Sequence, residues 1–274
     1  MSVVAQEAHG AGGDRTGSAS LSIRSVDLVY ETTRGNIQAL KGLDFDVEAG
    51  SFVSVVGMSG CGKSSLLKLV SGLLETSAGR IELDGKQISG PRRDVGMVFQ
   101  QPTLLPWKSV LENVLVPIRA MGQDVSKKRD RAMELLEMLK MDGFAKHYPF
   151  ELSGGMQQRV GVARGLIHDP ILLLMDEPFA ALDALTRETT MRELQQIWLK
   201  TGKTVLFITH SIPEAVFLSD RIVVMSPRPG RVHKIIDVDL PRPRSMDDMA
   251  EPAFVEISNE LRQIFRSMER DVAR

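Results

Sequence analysis

The chain is poor in cysteine, lacks long apolar runs and carries almost no net charge. Cys61 is its only cysteine, so no disulfide bond can form within the chain, which suits a reducing compartment. No apolar run approaches the roughly 20 residues that a membrane-spanning helix needs, so any role at a membrane requires a separate partner. The formal net charge of −1 argues against bulk electrostatic capture by nucleic acid or by anionic lipid.

The first 20 residues also lack the features of a secretory signal. They are rich in glycine, alanine and serine and carry Glu7 and Asp14, with neither a basic start nor an apolar stretch. We therefore expect residues 1–20 to form a disordered leader. The whole chain is 43% hydrophobic and 25% charged, an ordinary globular composition, and its length is sufficient for a large core.

Short apolar segments alternate with helical patterns along the rest of the chain. Strand-like segments lie at 21–30, 45–47, 51–56, 79–85, 95–99, 171–175, 204–209 and 221–225, the first of them predicted as an edge strand. Helical spacing occurs at 64–73, 110–121, 126–141 and 185–201, and a further helix is expected to begin after Ser153. Strands that alternate with helices predict a largely parallel sheet covered on both faces.

This alternation divides the chain into a large domain and an extension. We expect residues 21–238 to form the domain, with a helical insertion at about 101–166. In the extension, 239–274, a proline-rich stretch at 240–244 predicts a stiff connector. An amphipathic helix follows, whose apolar face holds Phe254, Ile257, Leu261, Ile264, Phe265 and Met268. That face either packs on its own domain or contacts a partner.

A glycine-rich loop follows the strand at 51–56. Its residues, Gly57-Met58-Ser59-Gly60-Cys61-Gly62-Lys63-Ser64, fit the phosphate-loop pattern G-x-x-x-x-G-K-[ST] in full. Glycines let successive backbone N–H groups turn toward phosphates, and the helix N-terminus adds a positive dipole end. We expect Lys63 to neutralise β- and γ-phosphate charge and the Ser64 hydroxyl to bind Mg²⁺. The loop and Ser65 are therefore assigned to ATP binding.

An acid pair, Asp176 and Glu177, ends the apolar strand at 171–175. Acids often end strands simply because they face solvent, but the phosphate loop upstream favours a catalytic pair here. Asp176 can hold Mg²⁺ across from Ser64. Glu177 can polarise an attacking water as the general base.

The octapeptide Leu152-Ser153-Gly154-Gly155-Met156-Gln157-Gln158-Arg159 lies between the loop and the acid pair. With these three elements, the chain resembles the ATPase subunit of an ATP-binding cassette (ABC) transporter over residues 21–238. The implied fold is α/β, a P-loop NTPase ABC cassette with a mainly parallel sheet, an N-terminal antiparallel β part and an inserted helical subdomain. The resemblance also implies a homodimer in which one subunit closes its signature over the ATP of the other, using Ser153, Gly154, Gly155 and Gln157.

Four further positions match elements of the family in order. Tyr30 corresponds to the aromatic that stacks on adenine, and Gln100 to the glutamine that touches Mg²⁺ and water. Asp183, in Ala181-Leu182-Asp183, corresponds to the loop that crosses the dimer. His210 corresponds to the histidine that contacts the γ-phosphate and positions Glu177. The resemblance thus implies two sets of residues: the catalytic Glu177, His210, Lys63 and Gln100, and the metal ligands Ser64, Gln100 and Asp176.

Three segments resemble the nitrate/sulfonate/taurine group of import ATPases: 104–107, 178–187 and 240–244. That group implies uptake of a small anion through integral membrane permease subunits, with indirect dependence on a solute-binding protein and no nucleic-acid partner. It also implies a peripheral position on the cytoplasmic face of the bacterial membrane. Trp107 then either anchors a permease loop or caps the core of the helical insertion.

Two other functions are considered beside transport. A soluble ABC ATPase acting on nucleic acid or ribosomes usually carries two cassettes or a long coiled-coil insertion, and this sequence has neither. A non-hydrolysing nucleotide sensor is disfavoured because Glu177 and His210 are both present.

Overall fold

The computed structural model describes residues 17–33 and 35–272. Its strands are β1 (Leu21–Thr32), β2 (Gly35–Val47), β3 (Phe52–Gly57), β4 (Ala78–Leu83), β5 (Lys86–Gln87), β6 (Val95–Val98), β7 (Leu172–Asp176), β8 (Thr204–Thr209), β9 (Arg221–Met225) and β10 (Val232–Asp237). Its helices are α1 (Lys63–Val70), α2 (Val110–Val114), α3 (Val116–Ala120), α4 (Arg129–Met138), α5 (Gly154–Leu166), α6 (Ala184–Thr201), α7 (Ile212–Leu218) and α8 (Pro252–Val272).

A six-stranded sheet forms the centre of the molecule, in the order β10-β9-β3-β8-β7-β6. Its strands are parallel except for β10, which runs antiparallel to β9. All residues of β3 and β8 are buried, as expected for parallel strands covered on both faces. Because the carboxyl ends of parallel strands share one edge, the loops after β3, β6, β7, β8 and β9 meet there, where ligands bind in such sheets.

A second sheet is antiparallel, with the order β2-β1-β4-β5. The prediction of an edge strand at 21–30 is wrong, because β1 lies between β2 and β4. The sequence also revealed only the last three residues of β2. Register shifts along the β1–β2 pair interrupt the two-residue alternation on which strand prediction depends.

The segment between β6 and β7 contains α2 to α5. The predicted helix at 110–121 is two short helices, because Leu115 ends α2 and Pro117 occupies the first turn of α3. A capping box fixes the start of α2: the Ser109 hydroxyl accepts from the Glu112 N–H, and the Glu112 carboxylate accepts from the Ser109 N–H. Buried residues of these helices share one core with α6, α7 and one face of the central sheet.

The C-terminal extension packs on the domain. Phe254, Leu261 and Met268 of α8 are buried in the same core as α7. The connector before α8 is anchored as well, since the buried Arg244 guanidinium donates to the carbonyl oxygens of Val216 and other residues at the end of α7. The apolar face predicted from the sequence is therefore covered by the chain itself.

At the other end, the expected leader lies mostly outside the described residues. Residues 17–20 are described, and the buried Ala19 donates its N–H to Thr204 Oγ1 at 3.2 Å. That contact ties the start of β1 to the start of β8.

Candidate active site

The phosphate loop connects β3, which ends at Gly57, to α1, which begins at Lys63. Gly62 caps the helix with a φ of 105°, a left-handed conformation that favours glycine. A side chain at Gly62 would also place its Cβ 2.6 Å from Leu40 Cδ2. The pattern of glycines therefore follows from the backbone path, which leads the chain into the N-terminus of α1.

Lys63 is buried at the base of this loop. Its Nζ donates to the carbonyl oxygens of Gly57 at 2.8 Å and Met58 at 3.1 Å. The ammonium group thus holds the loop in its curved form and stands where an incoming phosphate would find a positive charge. Beside it, Cys61 is only 1% exposed, and burial raises the pKa of its thiol.

A cleft of about 520 Å³ opens beside the loop, within the range of about 300–1,000 Å³ usual for small-molecule sites. The residues that line it come from β1, β2, the phosphate loop and two later loops: Tyr30, Glu31, Thr32, Ile37, Ala39, Ser59, Gly60, Gly62, Lys63, Ser64, Ser65, Glu177 and Arg228. Tyr30 is fixed at one side, where its hydroxyl lies 3.0 Å from Ser65 Oγ. The cleft thus extends from an aromatic ring to the phosphate loop and the predicted general base.

Ser64 and Asp176 meet although 112 positions separate them in sequence. Ser64 Oγ donates to Asp176 Oδ1 at 3.4 Å. Burial raises the pKa of Asp176, and the neighbouring carboxylate of Glu177 adds to that effect. A hydroxyl and a carboxylate oxygen are hard donors of the kind that Mg²⁺ prefers, and a bound cation would favour the ionised form of Asp176. The pair therefore fits a magnesium site.

Glu177 and His210 form the second pair at this edge of the sheet. Glu177 has a φ of 42°, in the left-handed region, and its N–H donates to Ile208 O of β8 at 2.9 Å. This turn directs its carboxylate toward His210, whose Nδ1 lies 2.8 Å from Glu177 Oε2. A non-glycine residue held in this conformation is often found at functional sites.

The turn that carries His210 is itself fixed by a buried acid. Thr209, the residue before it, donates its hydroxyl to Glu214 Oε2, and accepts from the Ser211 N–H at 3.0 Å. Glu214 Oε1 also lies 3.6 Å from Nε of Arg187. Burial raises the pKa of Glu214, while the hydrogen bond from Thr209 opposes that shift. This network was missed at the sequence level, since an acid in a first helical turn commonly faces solvent.

The signature residues lie apart from this cleft. Ser153 caps α5, accepting from the Met156 N–H at 3.4 Å, and Gly154 is exposed. Gly155 packs so closely on α6 that an added Cβ would lie 2.3 Å from Thr186 Cγ2. Asp183 caps α6 by accepting from the Thr186 N–H at 3.0 Å. The structure therefore brings Ser153–Gly155 and Asp183 together, and none of them lines the cleft described above.

Two predicted residues are placed differently from the rest. Gln157 donates its side-chain amide to Pro149 O at 2.9 Å, within its own chain. Gln100 follows β6, is exposed, and does not belong to the residues that line the cleft. The structure thus brings Lys63, Ser64, Asp176, Glu177 and His210 to one sheet edge, and keeps Gln157 on the helical segment.

Comparison with known proteins identifies the family of the chain. The model of the ABC transporter family matches residues 40–180. The chain belongs to the ABC transporter family. It is an ATP-binding, ATP-hydrolysing subunit of that family.

Relatives within the family are similar over most of their length. The taurine import ATP-binding protein TauB of Rhizobium johnstonii is 49% identical, over 85% of this chain and 91% of its own. The aliphatic sulfonates import ATP-binding protein SsuB of Bacillus cereus is 43% identical, over 90% and 96% respectively. A dimeric ATP-binding cassette solved in a post-hydrolysis state with ADP and Pi has a TM-score of 0.71 and 33% identity, over 81% of this chain and all of that one.

Within the described part of this ABC subunit, no helix is long and apolar enough to cross a membrane.

Proposed function

We propose that this chain drives an importer of a small anion, such as taurine, another sulfonate or nitrate, through a separate membrane permease. The observation that carries this is a cleft lined by Tyr30, Lys63 and Glu177, with His210 in contact with Glu177, in a chain 43–49% identical to taurine and aliphatic sulfonate import subunits. As a subunit of this kind it would lie on the cytoplasmic face of a bacterial membrane and depend indirectly on a solute-binding protein.

The residues predicted to act on ATP have separate roles in hydrolysis. Tyr30 stacks on adenine, and the N–H groups of the phosphate loop bind the phosphates. Lys63 donates to phosphate oxygens in place of the carbonyl oxygens of Gly57 and Met58. Ser64, Asp176 and Gln100 would hold Mg²⁺, which would supply positive charge to neutralise the phosphates. Glu177 accepts the proton of the attacking water, and His210 fixes the Glu177 carboxylate in position for that transfer.

The second half of each site comes from another copy of the chain. Ser153, Gly154 and Asp183 present a hydroxyl, a helix N-terminus and a carboxylate, and they lie apart from their own cleft. Leu185, two residues after Asp183, is 76% exposed. An exposed apolar side chain next to polar groups favours burial against a partner. In a homodimer, each copy presents this same surface to the other.

The permease is proposed to dock on an aromatic surface of the helical segment, formed by Trp107, Tyr148 and Phe150. Trp107 is 70% and Phe150 77% exposed, and the rings of Tyr148 and Phe150 stack with centroids 5.8 Å apart. The Val110 N–H donates to His147 O at 2.8 Å, which brings the two parts of this surface together. Exposed aromatic clusters are typical anchors of protein interfaces.

Uptake measurements test the function. Replacing Glu177 with glutamine in the source cell is expected to reduce uptake of labelled taurine, alkanesulfonate or nitrate to the level without this subunit. Uptake of all three at the wild-type rate would overturn the assignment to this group of importers.

Isolation from detergent-solubilised membranes tests the docking surface. With Glu177→Gln and ATP present, a protein with several membrane spans is expected to co-purify, and the double variant Trp107→Ala/Phe150→Ala should lose it. Leu73→Ala is the matched control, because Leu73 is also a large exposed apolar residue but lies after α1. Recovery of ribosomal proteins in place of a permease would contradict the transport function.

A further inference from the structure

Arg228 is a second cation at the cleft, in a loop that none of the sequence motifs covers. Among the described residues that line the cleft, Lys63 and Arg228 are the two with cationic side chains. Lys63 is buried and already donates to two loop carbonyls. A nucleoside triphosphate carries several negative charges, which one lysine does not neutralise.

The position of Arg228 follows from the sheet. In the parallel pair of β3 and β9, Gly57 stands opposite Met225, so the loop 226–231 leaves the sheet beside the start of the phosphate loop. Ligand-binding groups of parallel sheets lie beyond these carboxyl ends. Arg228 therefore stands at the same edge as Lys63, Asp176 and His210.

The loop 226–231 is held firmly at both ends. The Ser226 N–H donates to Arg231 O at 2.9 Å, and the Arg231 N–H donates to Ser226 Oγ at 3.1 Å. Gly230 bonds to β2 in both directions, donating to Ala39 O at 2.9 Å and accepting from the Lys41 N–H at 3.0 Å. An added Cβ on Gly230 would lie 2.0 Å from Cys61 O, so the loop is packed directly on the phosphate loop.

The guanidinium of Arg228 is directed by this loop onto Gly60. Its Nε and Nη2 donate to Gly60 O at 3.3 and 3.2 Å. A guanidinium has five N–H donors in a planar fork, so the group can bind Gly60 O along one edge and a phosphate oxygen with its remaining donors. Prolines on both sides, Pro227 and Pro229, restrict the backbone that carries it.

We propose that Arg228 binds a phosphate group of the nucleotide held in its own subunit. The guanidinium adds a positive charge beside the phosphate loop, and its bond to Gly60 O fixes its orientation. Charge-assisted bonds from an oriented arginine are stronger than neutral ones and favour phosphate recognition. The proposal goes beyond ATP hydrolysis itself, because it assigns a nucleotide contact outside the family motifs quoted above.

The test is nucleotide affinity in Arg228→Gln. Glutamine can still donate to Gly60 O but carries no charge. We expect the dissociation constants for ATP and ADP to rise about tenfold, the constant for AMP to rise less, and the dependence of ATP affinity on salt concentration to become shallower. Arg228→Lys should recover part of the affinity. Arg231→Gln is the control in the same loop, since Arg231 is exposed and does not line the cleft.

Three outcomes would overturn the proposal. ATP affinity within twofold of wild type in Arg228→Gln would exclude a phosphate contact. An equal loss for AMP, ADP and ATP with an unchanged salt dependence would show that Arg228 only braces the loop. A loss confined to ATP-driven dimers, with ADP affinity of the isolated subunit unchanged, would place the contact on the other subunit's nucleotide. Thermal unfolding without nucleotide confirms that each variant is folded.

Discussion

His210 Nδ1 lies 2.8 Å from Glu177 Oε2, across the gap between the ends of neighbouring strands β8 and β7. The contact orients the Glu177 carboxylate. The His210 side chain is 62% exposed, which leaves the imidazole accessible. This pair is the part of the site where geometry most directly indicates hydrolysis rather than nucleotide binding alone.

His210→Ala is expected to lower the rate of phosphate release at saturating ATP by about a hundredfold, because Glu177 loses the partner that orients it. ATP affinity should change little, since Lys63 and the phosphate loop remain. The control is His233→Ala, which removes an exposed histidine on β10. Turnover at the wild-type rate in His210→Ala would remove the histidine from the mechanism.

Thr209→Val should lower kcat for ATP hydrolysis by about tenfold and leave KM unchanged. The isosteric change removes the hydroxyl that joins Glu214 to the Ser211 N–H and so loosens the turn that carries His210. Thr209→Ser, which keeps the hydroxyl, should restore most of the activity. A fall in thermal stability with kcat unchanged would show that the network serves folding only.

Asp176→Asn should raise the melting temperature of the nucleotide-free protein at neutral pH. The pKa of Asp176 is raised in the folded state, so the folded protein binds this proton more tightly than the unfolded chain, and stability falls as pH rises through the folded pKa. The gain from asparagine should vanish below the ordinary pKa of aspartate, about 3.9.

Thermal unfolding without nucleotide or Mg²⁺, measured across pH, shows whether Asp176→Asn raises or lowers the melting temperature. Asp239→Asn, at an exposed acid, should show no such gain. A lower melting temperature for Asp176→Asn than for wild type at neutral pH would contradict the account.

Alkylation of Cys61 should be slow in the folded protein, because the thiol is buried and its pKa is raised. An added Cβ at Gly57 would already lie 2.8 Å from Cys61 Sγ, so a bulky adduct would displace the loop. Complete modification should therefore abolish ATP binding, while Cys61→Ala should retain it. If mass spectrometry shows complete alkylation of Cys61 and the protein still binds ATP with full affinity, the prediction is wrong.

How far the sequence determines the fold differs from strand to strand. The segments 204–209 and 221–225 were predicted with the bounds of β8 and β9, because each is a short apolar run with a polar residue or turn after it. β2 was largely missed because bulges break its alternation, and β1 was wrongly placed at an edge. Strand order depends on contacts between distant segments, which periodicity does not contain.

Within the site, too, some residues could be predicted from the sequence and others could not. Lys63, Ser64 and the acid pair could be found because their spacing is imposed by a loop and a strand end. Arg228 stands alone between prolines, and Glu214 occupies an ordinary first helical turn, so neither has a local pattern. Their roles become visible only when the fold brings Arg228 to Gly60 and Glu214 to Thr209.

Sedimentation velocity of Glu177→Gln tests the central claim most directly, namely that two copies of this chain close over ATP and that Glu177 then activates water. The variant should bind ATP, hydrolyse it at a rate reduced by about 10²- to 10⁴-fold, and sediment as a dimer with ATP and as a monomer with ADP. Adding Ser153→Arg should abolish the dimer without affecting nucleotide binding by the monomer. A Glu177→Gln protein that stays monomeric at saturating ATP, or hydrolyses ATP at the wild-type rate, would contradict the account.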